Sequence, residues 1–351
     1  MVNETNFPRP RRRYRTGNDG LDAKISELVA ESGLTVDADL LTEMLISCFR
    51  LAKTRSDRGE MKLVNAALKE FVYSFKVFKG YRGFRKVSIF GSARSTPVDP
   101  NYDYTRRFAK AMAEKGWMVI TGAGPGIMAA GHEGAGAERS FGAAIRLPME
   151  AEPNVFIEGN PRLINFKYFF TRKVTFLKES DAFVMLPGGF GTLDEAYELL
   201  TLMQTGKTDM EPVVLLEVPG GTFWSDWLRF TREQLAARGL ISEEDLHLVY
   251  RAGDIDDAVA HITGYYNNYH SMRYVDGTLV LRLNRLPPQD RLDALAASFA
   301  AILRKPGIRP VEPSAQEIAD GDALDCWRLA LSFKRDAFGR LRQLIGELNK
   351  Y

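Results

Sequence analysis

The sequence predicts an α/β fold whose main domain is a Rossmann-like, doubly wound parallel sheet. Two observations support this prediction. Short apolar runs alternate with helical segments along the chain, and three of these runs end in glycine-rich turns. Strands that alternate with helices favour right-handed crossovers, which make the strands parallel and place helices on both faces of the sheet. We expect this domain at residues 84–268, with an N-terminal helical extension before it and a small C-terminal α+β segment after it.

The chain ahead of the sheet divides into a basic tail and a helical segment. Residues 1–20 contain five arginines, two prolines and no apolar stretch, which is typical of a solvated, disordered tail rather than a targeting segment. Residues 21–83 repeat apolar residues at spacings of three and four, which predicts helices. We interpret this second segment as a helical cap or an oligomerisation element.

Five predicted strands follow in order, and each is a short apolar run. They cover residues 86–92, 117–126, 143–148, 181–189 and 211–218. The predicted helices between them include residues 104–116, 166–180 and 192–206. After the sheet, residues 269–351 show the order strand then helix twice, which predicts a weak βα repeat with a structural or regulatory role.

The composition argues against several classes of function. The formal net charge of +2 does not favour a nucleic acid or an acidic membrane as partner. No run of about 18 apolar residues is present, so no membrane-spanning helix is expected. Cys48 and Cys326 lie far apart, and the four histidines lack ligand spacing. We therefore expect a cytoplasmic protein without a metal or a cofactor.

Three glycine-bearing turns follow predicted strands, at residues 90–94, 121–128 and 186–192. In an open parallel sheet, ligands bind beyond the carboxyl ends of the strands. Glycine allows close approach of the backbone, and the N-terminus of a following helix offers N–H donors and a positive dipole end. Such turns fit a phosphate. The predicted phosphate-binding residues are Gly91, Ser92, Gly122, Gly124, Gly188, Gly189, Gly191 and Thr192, the last at the helix N-cap.

The second of these turns, GAGPG, is a weak signal by itself. Ile127 stands where the third glycine of a GxGxxG fingerprint would be, and no clear acidic residue ends a strand about 20 residues later. A phosphate site and a simple tight strand–helix turn are equally compatible with it.

The third turn leads directly to a carboxylate. Glu195 comes three residues after Thr192, so a rise of ~1.5 Å per residue places it about 4.5 Å further along a helix, on nearly the same face. The phosphate and the C1′ atom of a nucleoside 5′-monophosphate are separated by a comparable distance. A helix with phosphate at its N-terminus would therefore direct Glu195 at the ribose. Asp194 points about 100° away and fits a solvated residue of the first turn.

A basic pair, Arg172 and Lys173, lies on the amphipathic helix before the fourth predicted strand. Its neighbours on both sides are apolar. The pair is therefore either solvated at the helix edge or turned into a site, and the residues alone leave both interpretations open.

These residues together resemble the Lonely guy (LOG) family, whose members were long labelled lysine decarboxylases. The family motif PGGxGTxxE is matched without a gap by residues 187–195, and its Arg-Lys pair by Arg172 and Lys173. The FGS and TGxGPGIM turns are also similar, so the resemblance covers about residues 84–265. It implies a Rossmann-like fold, a dimer or an assembly of dimers, and hydrolysis of an AMP-like nucleoside 5′-monophosphate to free base and ribose 5-phosphate.

The resemblance also implies roles for individual residues. Glu195 and Arg172 would be catalytic, the GGxGT backbone would bind phosphate, and Lys173 and Thr201 would be further substrate contacts. N-glycoside hydrolysis passes through an oxocarbenium-like state, so a carboxylate near C1′ stabilises positive charge and orients water.

Two features depart from the family pattern. Ala123 and His132-Glu133 occupy the second turn and its helix, where GGGPGIM and a less charged helix are expected. The compact cytokinin-activating members also lack the two outer segments, so the larger bacterial members are more similar. The base preference is therefore left open.

Other functions compete with this interpretation. The same glycine turns resemble molybdenum-cofactor carrier proteins and nucleotide-sensing modules, which bind a phosphorylated ligand without cleaving it. Binding alone needs only the glycines and Thr192, so the presence of Arg172 and Glu195 favours the enzyme. A pyridoxal-phosphate decarboxylase lacks support from any specific lysine context. A DNA-binding scaffold built on the arginine tail is disfavoured by the near-neutral charge.

Overall fold

The structure is a computed structural model that describes residues 14–55, 57–146 and 152–351. Residues 1–13 of the predicted basic tail and residues 147–148 of the third predicted strand fall outside these ranges. The chain divides into two compact units, with the boundary between Glu70 and Phe71. Among the described residues, no helix is both long and apolar enough to cross a membrane.

The first unit is helical, as predicted. It contains α1 (Asp19–Glu31), α2 (Ala38–Thr54) and the first part of α3 (Arg58–Lys79), which ends in the second unit. Asn18 caps α1 by accepting a hydrogen bond from the backbone N–H of Leu21. Apolar residues at helical spacing then pack α1 against α2 in a small cluster formed by Ile25, Val29 and Ile46.

The second unit contains a seven-stranded sheet in which all neighbouring strands are parallel. Its spatial order is β4-β3-β2-β1-β5-β6-β7. The chain thus builds outward from β1 to one edge and then returns to the other side of β1, so the switch point lies between β1 and β5. The strands are β1 (Lys86–Phe90), β2 (Met118–Thr121), β3 (Ser140–Ile145), β4 (Leu163–Phe166), β5 (Ala182–Met185), β6 (Val213–Leu215) and β7 (Val249–Arg251).

The five predicted strands correspond to β1, β2, β3, β5 and β6, and the predicted α/β class is confirmed. The prediction missed the two edge strands. β4 contains the exposed Asn165 and β7 ends in the exposed Arg251, so neither forms a continuous apolar run. The third strand begins at Ser140 rather than at residue 143, because Ser140 and Gly142 interrupt the apolar pattern at its start although both are buried.

Helices cover both faces of this sheet, and alternate residues of β1 show the two faces. Val87 and Ile89 belong to a core cluster with residues of α4, α5 and α9, whereas Phe90 belongs to a second cluster with residues of α6 and α7. The doubly wound prediction is therefore confirmed. The helices are α4 (Pro100–Glu114), α5 (Ile127–Ala135), α6 (Phe169–Glu179), α7 (Phe190–Gln204), α8 (Phe223–Phe230) and α9 (Ile255–Tyr265).

The C-terminal segment is an α+β structure, as predicted, but its sheet has four antiparallel strands in the order β10-β11-β9-β8. Its strands are β8 (Tyr269–Val275), β9 (Thr278–Leu283), β10 (Leu303–Pro310) and β11 (Trp327–Phe333), and its helices are α10 (Gln289–Ser298), α11 (Ala315–Asp320) and α12 (Phe338–Leu348). Leu281, Leu331 and Leu344 belong to the same buried cluster as Phe183 and Leu199 of the parallel-sheet region. The two sheets therefore share one apolar core.

Candidate functional site

A cavity of about 1060 Å³ opens at the carboxyl ends of the central strands, and we call it the switch-point cavity. It lies where open parallel sheets bind their ligands. All three glycine turns contribute to its wall, together with residues of α6 and α7. The sequence-predicted residues in its lining are Gly91, Ser92, Gly122, Gly124, Arg172, Gly189, Gly191, Thr192 and Glu195. Among the described residues, the lining does not include Gly188, Lys173 or Thr201.

The three turns are joined to one another by backbone contacts. The N–H of Ser92 donates to the carbonyl of Pro187 (3.1 Å), and the carbonyl of Ser92 accepts from the N–H of Ile127 (3.0 Å). A Cβ atom at Gly91 would lie 2.6 Å from Cγ2 of Ile127, and one at Gly126 would lie 2.3 Å from the carbonyl oxygen of Ser92. The structure therefore requires glycine at Gly91 and Gly126 so that the turns can pack together.

The third turn forms the N-terminus of α7, which begins two residues earlier than predicted. Gly189 is the N-cap, and no side chain caps the first turn of the helix. Thr192 is the third residue of α7, so its predicted place at the N-cap is wrong. The reason is that Phe190 and Gly191 continue the helix toward the strand instead of forming the loop. Thr192 is buried, and its hydroxyl packs against Gly188, where a Cβ atom would lie 2.1 Å from Oγ1.

Gly189 and Gly191 differ from the other glycines of this site. A Cβ atom at either position would meet nothing within 4 Å apart from its chain neighbours and the nearby backbone of its own helix. Protein packing therefore does not explain the absence of a side chain at these positions. Both residues line the cavity beside the uncapped N-terminus of α7, which is a place where backbone N–H groups bind anions.

Glu195 lies in the second turn of α7 and is half-buried in the cavity wall. Burial raises the pKa of this carboxyl to about 7. The charges of Lys173 and Arg172 lower the pKa, whereas those of Glu198 and Asp194 raise it. A carboxyl with a pKa near neutrality exchanges protons readily at physiological pH, which suits a general acid or base.

Arg172 extends from α6 toward the second glycine turn. Its Nε atom donates to the carbonyl of Ala143 at the end of β3 (2.8 Å), and its guanidinium carbon lies 5.3 Å from the ring centre of Phe176. A Cβ atom at Gly122 would lie 2.3 Å from Nη2 of Arg172. Gly122 therefore provides the space in which the guanidinium group rests on the cavity wall.

Lys173 and Thr201 make contacts elsewhere. The ammonium group of Lys173 binds Asp194 and Glu198 of α7, so Asp194 is ion-paired and not simply solvated. Burial alone would lower the pKa of Lys173, but its hydrogen bonds to these two carboxylates raise it. Thr201 is exposed, and its hydroxyl donates to the carbonyl of Tyr197 on its own helix (2.7 Å).

The second glycine turn depends on residues that the sequence did not identify as supports. Ala123 has a positive φ of 64°, a conformation that favours glycine. The side-chain amide of Asn154 donates to the carbonyls of Ala123 (3.0 Å) and Gly124 (2.9 Å) and so holds this backbone. His132 is fully buried behind the turn, where its Nε2 atom lies 3.0 Å from the carbonyl of Phe141. The carbonyl can only accept, so Nε2 carries the proton.

His132 should make the stability of the protein depend on pH. Burial lowers its pKa from 6.5 to about 4. The unfolded chain therefore binds a proton below about pH 6.5 that the folded protein binds only near pH 4, so stability falls as the pH falls through this window. We expect His132 to account for a loss of about 2 kcal/mol between pH 7 and pH 5.

Urea unfolding at these two pH values measures this effect. His132→Gln is expected to remove this contribution, so the variant should lose less stability on acidification than the wild type. His247→Gln, at an exposed histidine, should keep the wild-type dependence. An unchanged pH dependence in His132→Gln would contradict the assignment.

The cavity lining also contains residues that the sequence did not single out. They include two arginines, an asparagine and two aromatic residues: Arg94, Arg146, Asn165, Phe169 and Phe190. Phe190, at the first position of α7, is 94% exposed. Within the described part of the chain, no group of three or more His, Cys, Asp or Glu side chains is arranged to hold a metal ion.

The chain is similar to a known family model and to several curated proteins. Residues 123–262 match the family model described as "Possible lysine decarboxylase". The chain is 37% identical over 94 residues to the cytokinin riboside 5′-monophosphate phosphoribohydrolase LOG1 of Arabidopsis thaliana, covering 27% of this chain and 42% of that protein. It thus spans less than half the length of that relative. It is 28% identical over 192 residues to the LOG enzyme of Oryza sativa subsp. japonica, covering 53% of this chain and 76% of that protein.

Among solved structures, the chain is similar to the Moco carrier protein from Chlamydomonas reinhardtii. The sequence identity is 21% and the TM-score is 0.35, and the match covers 51% of this chain and 96% of that chain.

Proposed function

Because the chain belongs to the Lonely guy (LOG) family, we propose that it hydrolyses the N-glycosidic bond of a nucleoside 5′-monophosphate, giving free base and ribose 5-phosphate. The observation that carries this proposal is the position of Glu195. Its carboxyl lines the same cavity as the uncapped N-terminus of α7 and lies little more than one helical turn away from it. We assign the reaction to residues 84–268, because every residue of the cavity lining lies within this range.

In the proposed complex, the phosphate binds at the N-terminus of α7. Gly189 and Gly191 allow the phosphate oxygens to approach the backbone N–H groups, and the positive end of the helix dipole favours their charge. Arg172, held against Gly122 and Ala143, adds a fixed positive charge on the same cavity wall. The phosphate thereby fixes the ribose along α7, in the direction of Glu195.

The proposed reaction exchanges one bond at C1′ for another. The bond between C1′ and the base nitrogen breaks, and the oxygen of a water molecule bonds to C1′. Ionised Glu195 stabilises the positive charge that develops on the ribose, and it accepts a proton from the attacking water. The base leaves with one proton, so the sum of the reaction is the addition of water. Arg172 binds substrate oxygens or orients Glu195, and it remains protonated throughout.

A panel of nucleoside 5′-monophosphates tests the proposal. Each is incubated with the protein, and free base and ribose 5-phosphate are followed by chromatography beside the matching nucleosides. We expect base release from one or more monophosphates and none from the nucleosides, because the nucleosides lack the group that binds α7. Saturable, phosphate-dependent binding without release of base would instead support the alternative of a carrier or binding protein.

We also propose that the protein is a homodimer or is built from dimers. The resemblance implies this, and α6 and the start of α7 carry exposed apolar side chains at Phe169, Phe170, Val174 and Phe190. Covering such a surface removes apolar area from water. Multi-angle light scattering is expected to give at least twice the chain mass of 39.4 kDa. A mass equal to that of one chain at micromolar concentration would contradict the proposal.

A further inference from the structure

Lys173 follows Arg172 on α6, but the two side chains reach different places. The ammonium nitrogen of Lys173 lies 2.8 Å from Oδ2 of Asp194 and 2.8 Å from Oε2 of Glu198. Its side chain is only 13% exposed, whereas the side chains of Asp194 and Glu198 are 61% and 34% exposed, so the lysine is buried beneath two carboxylates that reach the solvent. Both carboxylates belong to α7, and Glu195 lies between them in the sequence. Lys173 therefore contacts α7 at two points that bracket Glu195.

Two contacts one turn apart restrain a helix more than a single contact does. Residues separated by four positions lie on the same face, so Asp194 and Glu198 both face α6. A single ion pair would still allow α7 to rotate about its axis, whereas two pairs to one ammonium group oppose this rotation. Glu195 points about 100° away from Asp194 around the helix, so rotation of α7 would move its carboxyl across the cavity.

We propose that Lys173 is a positioning residue, which holds α7 through Asp194 and Glu198 at the rotation that presents Glu195 to the substrate. Its positive charge also offsets the two carboxylates next to Glu195. This inference rests on the proposed function, because the presentation of Glu195 matters to catalysis only if Glu195 takes part in the reaction. It replaces the substrate contact that the resemblance implies for Lys173.

The charges that act on Glu195 come from both helices. Arg172 and Lys173 are on α6, and Asp194 and Glu198 are on α7. The rest of the cavity lining adds the ionisable residues Arg94, Arg146 and Glu152. Without Lys173, three carboxylates within one and a half turns of α7 would lose the cation that two of them bind. We therefore expect the pKa of Glu195 to rise by about one unit in Lys173→Met.

A ¹³C NMR titration of the Glu195 carboxyl in the full-length protein tests this expectation. The protein is labelled in its glutamate carboxyl groups, and the resonance is identified by its absence in Glu195→Gln. Lys173→Met should raise the titration midpoint by about one pH unit. Lys173→Arg keeps the positive charge, so its midpoint should lie close to that of the wild type. The double variant Asp194→Asn/Glu198→Gln should lower the midpoint, because it removes two neighbouring negative charges.

Lys178→Met is the matched control, because Lys178 lies on the same helix and pairs with Glu179 instead of with α7. It should leave the midpoint unchanged. A wild-type midpoint in Lys173→Met, or an equal shift in Lys178→Met, would overturn the proposal. If Lys173→Met does not fold, the double variant decides, since an unchanged midpoint there would also overturn it.

The titration requires no turnover, so its outcome is independent of the test of the proposed function. If the wild type releases no base, the hydrolase is rejected whether or not Lys173 shifts the midpoint. If base is released, kcat of Lys173→Met should fall about tenfold with little change in KM, and its pH profile should shift with the midpoint. A raised KM with unchanged kcat would instead identify Lys173 as a substrate contact.

Discussion

Replacing Glu195 by glutamine should lower kcat for base release by a factor of about 10² to 10⁴, which is the range for loss of a general base. Glutamine has nearly the same size but can neither accept the proton from water nor carry the negative charge that stabilises the oxocarbenium-like state. The phosphate contacts that we propose at the N-terminus of α7 do not involve this side chain. Isothermal titration calorimetry should therefore show nearly unchanged binding of the monophosphate.

A control variant and a binding measurement distinguish loss of catalysis from a disturbed helix. Glu114→Gln changes a glutamate on the surface of α4 that pairs with Lys110 of the same helix, and it should keep wild-type activity. Retention of more than a tenth of wild-type kcat in Glu195→Gln would contradict a catalytic role for Glu195. Loss of binding together with activity would indicate instead that the variant disturbs α7.

The pKa of Glu195 also fixes the direction of the pH dependence. Since burial raises this pKa to about 7, the carboxylate form to which we assign the reaction is lost as the pH falls below 7. In wild type, kcat/KM should therefore fall about tenfold per pH unit on the acid side and level off above pH 7. In Glu195→Gln, the residual rate should lack this acid limb.

The adjacent glycines Gly188 and Gly189 should respond differently to alanine: one substitution should lower stability and the other should weaken ligand binding. A Cβ atom at Gly189 faces open space in the cavity, and the residue has an extended conformation that alanine also adopts. Gly189→Ala should fold normally but hinder the approach of phosphate to α7. The loss of hydrogen bonds to a charged group should weaken monophosphate binding about 10- to 100-fold.

At Gly188 the expected result is reversed. A Cβ atom there would lie 2.1 Å from Oγ1 of Thr192 and 3.0 Å from the backbone nitrogen of Ser92. Gly188→Ala should therefore lower the free energy of unfolding by about 1–3 kcal/mol, the usual cost of overpacking. Urea unfolding and calorimetric binding on both variants separate the two effects. Equal destabilisation by the two alanines would contradict the assignment of packing to Gly188 and of phosphate binding to Gly189.

The sequence was sufficient to predict the central strands and to place the candidate site at their carboxyl ends. β1 and β5 are buried on both faces, so apolar residues dominate them, interrupted in β1 by Lys86 and Ser88, and glycine turns follow where these strands end. β4 and β7 escaped prediction because edge strands are partly exposed and lack such runs. Whether a segment forms an edge strand depends on its pairing with the neighbouring strand, and the local sequence pattern does not show that pairing.

The division of labour between Arg172 and Lys173 could not be predicted, for a different reason. Helical spacing shows only that neighbouring residues point in directions about 100° apart. Which direction leads to the cavity depends on how α6 lies between β3 and α7. The support of the second turn by His132 and Asn154 is equally hidden, because these residues are 22 positions apart and meet only in the folded chain.

The apolar core shared by the two sheets brings the C-terminal segment against the end of α7 that lies away from the cavity. Phe338, the first residue of α12, packs against Gly206 just after the end of α7, where a Cβ atom would lie 2.1 Å from its Cζ. A 15-residue helix is a stiff rod about 22 Å long. The C-terminal end of α7 contacts the C-terminal segment, and its N-terminal end forms part of the cavity wall. The C-terminal segment thus supports α7 from the end opposite the cavity, although it contributes no side chain to the lining.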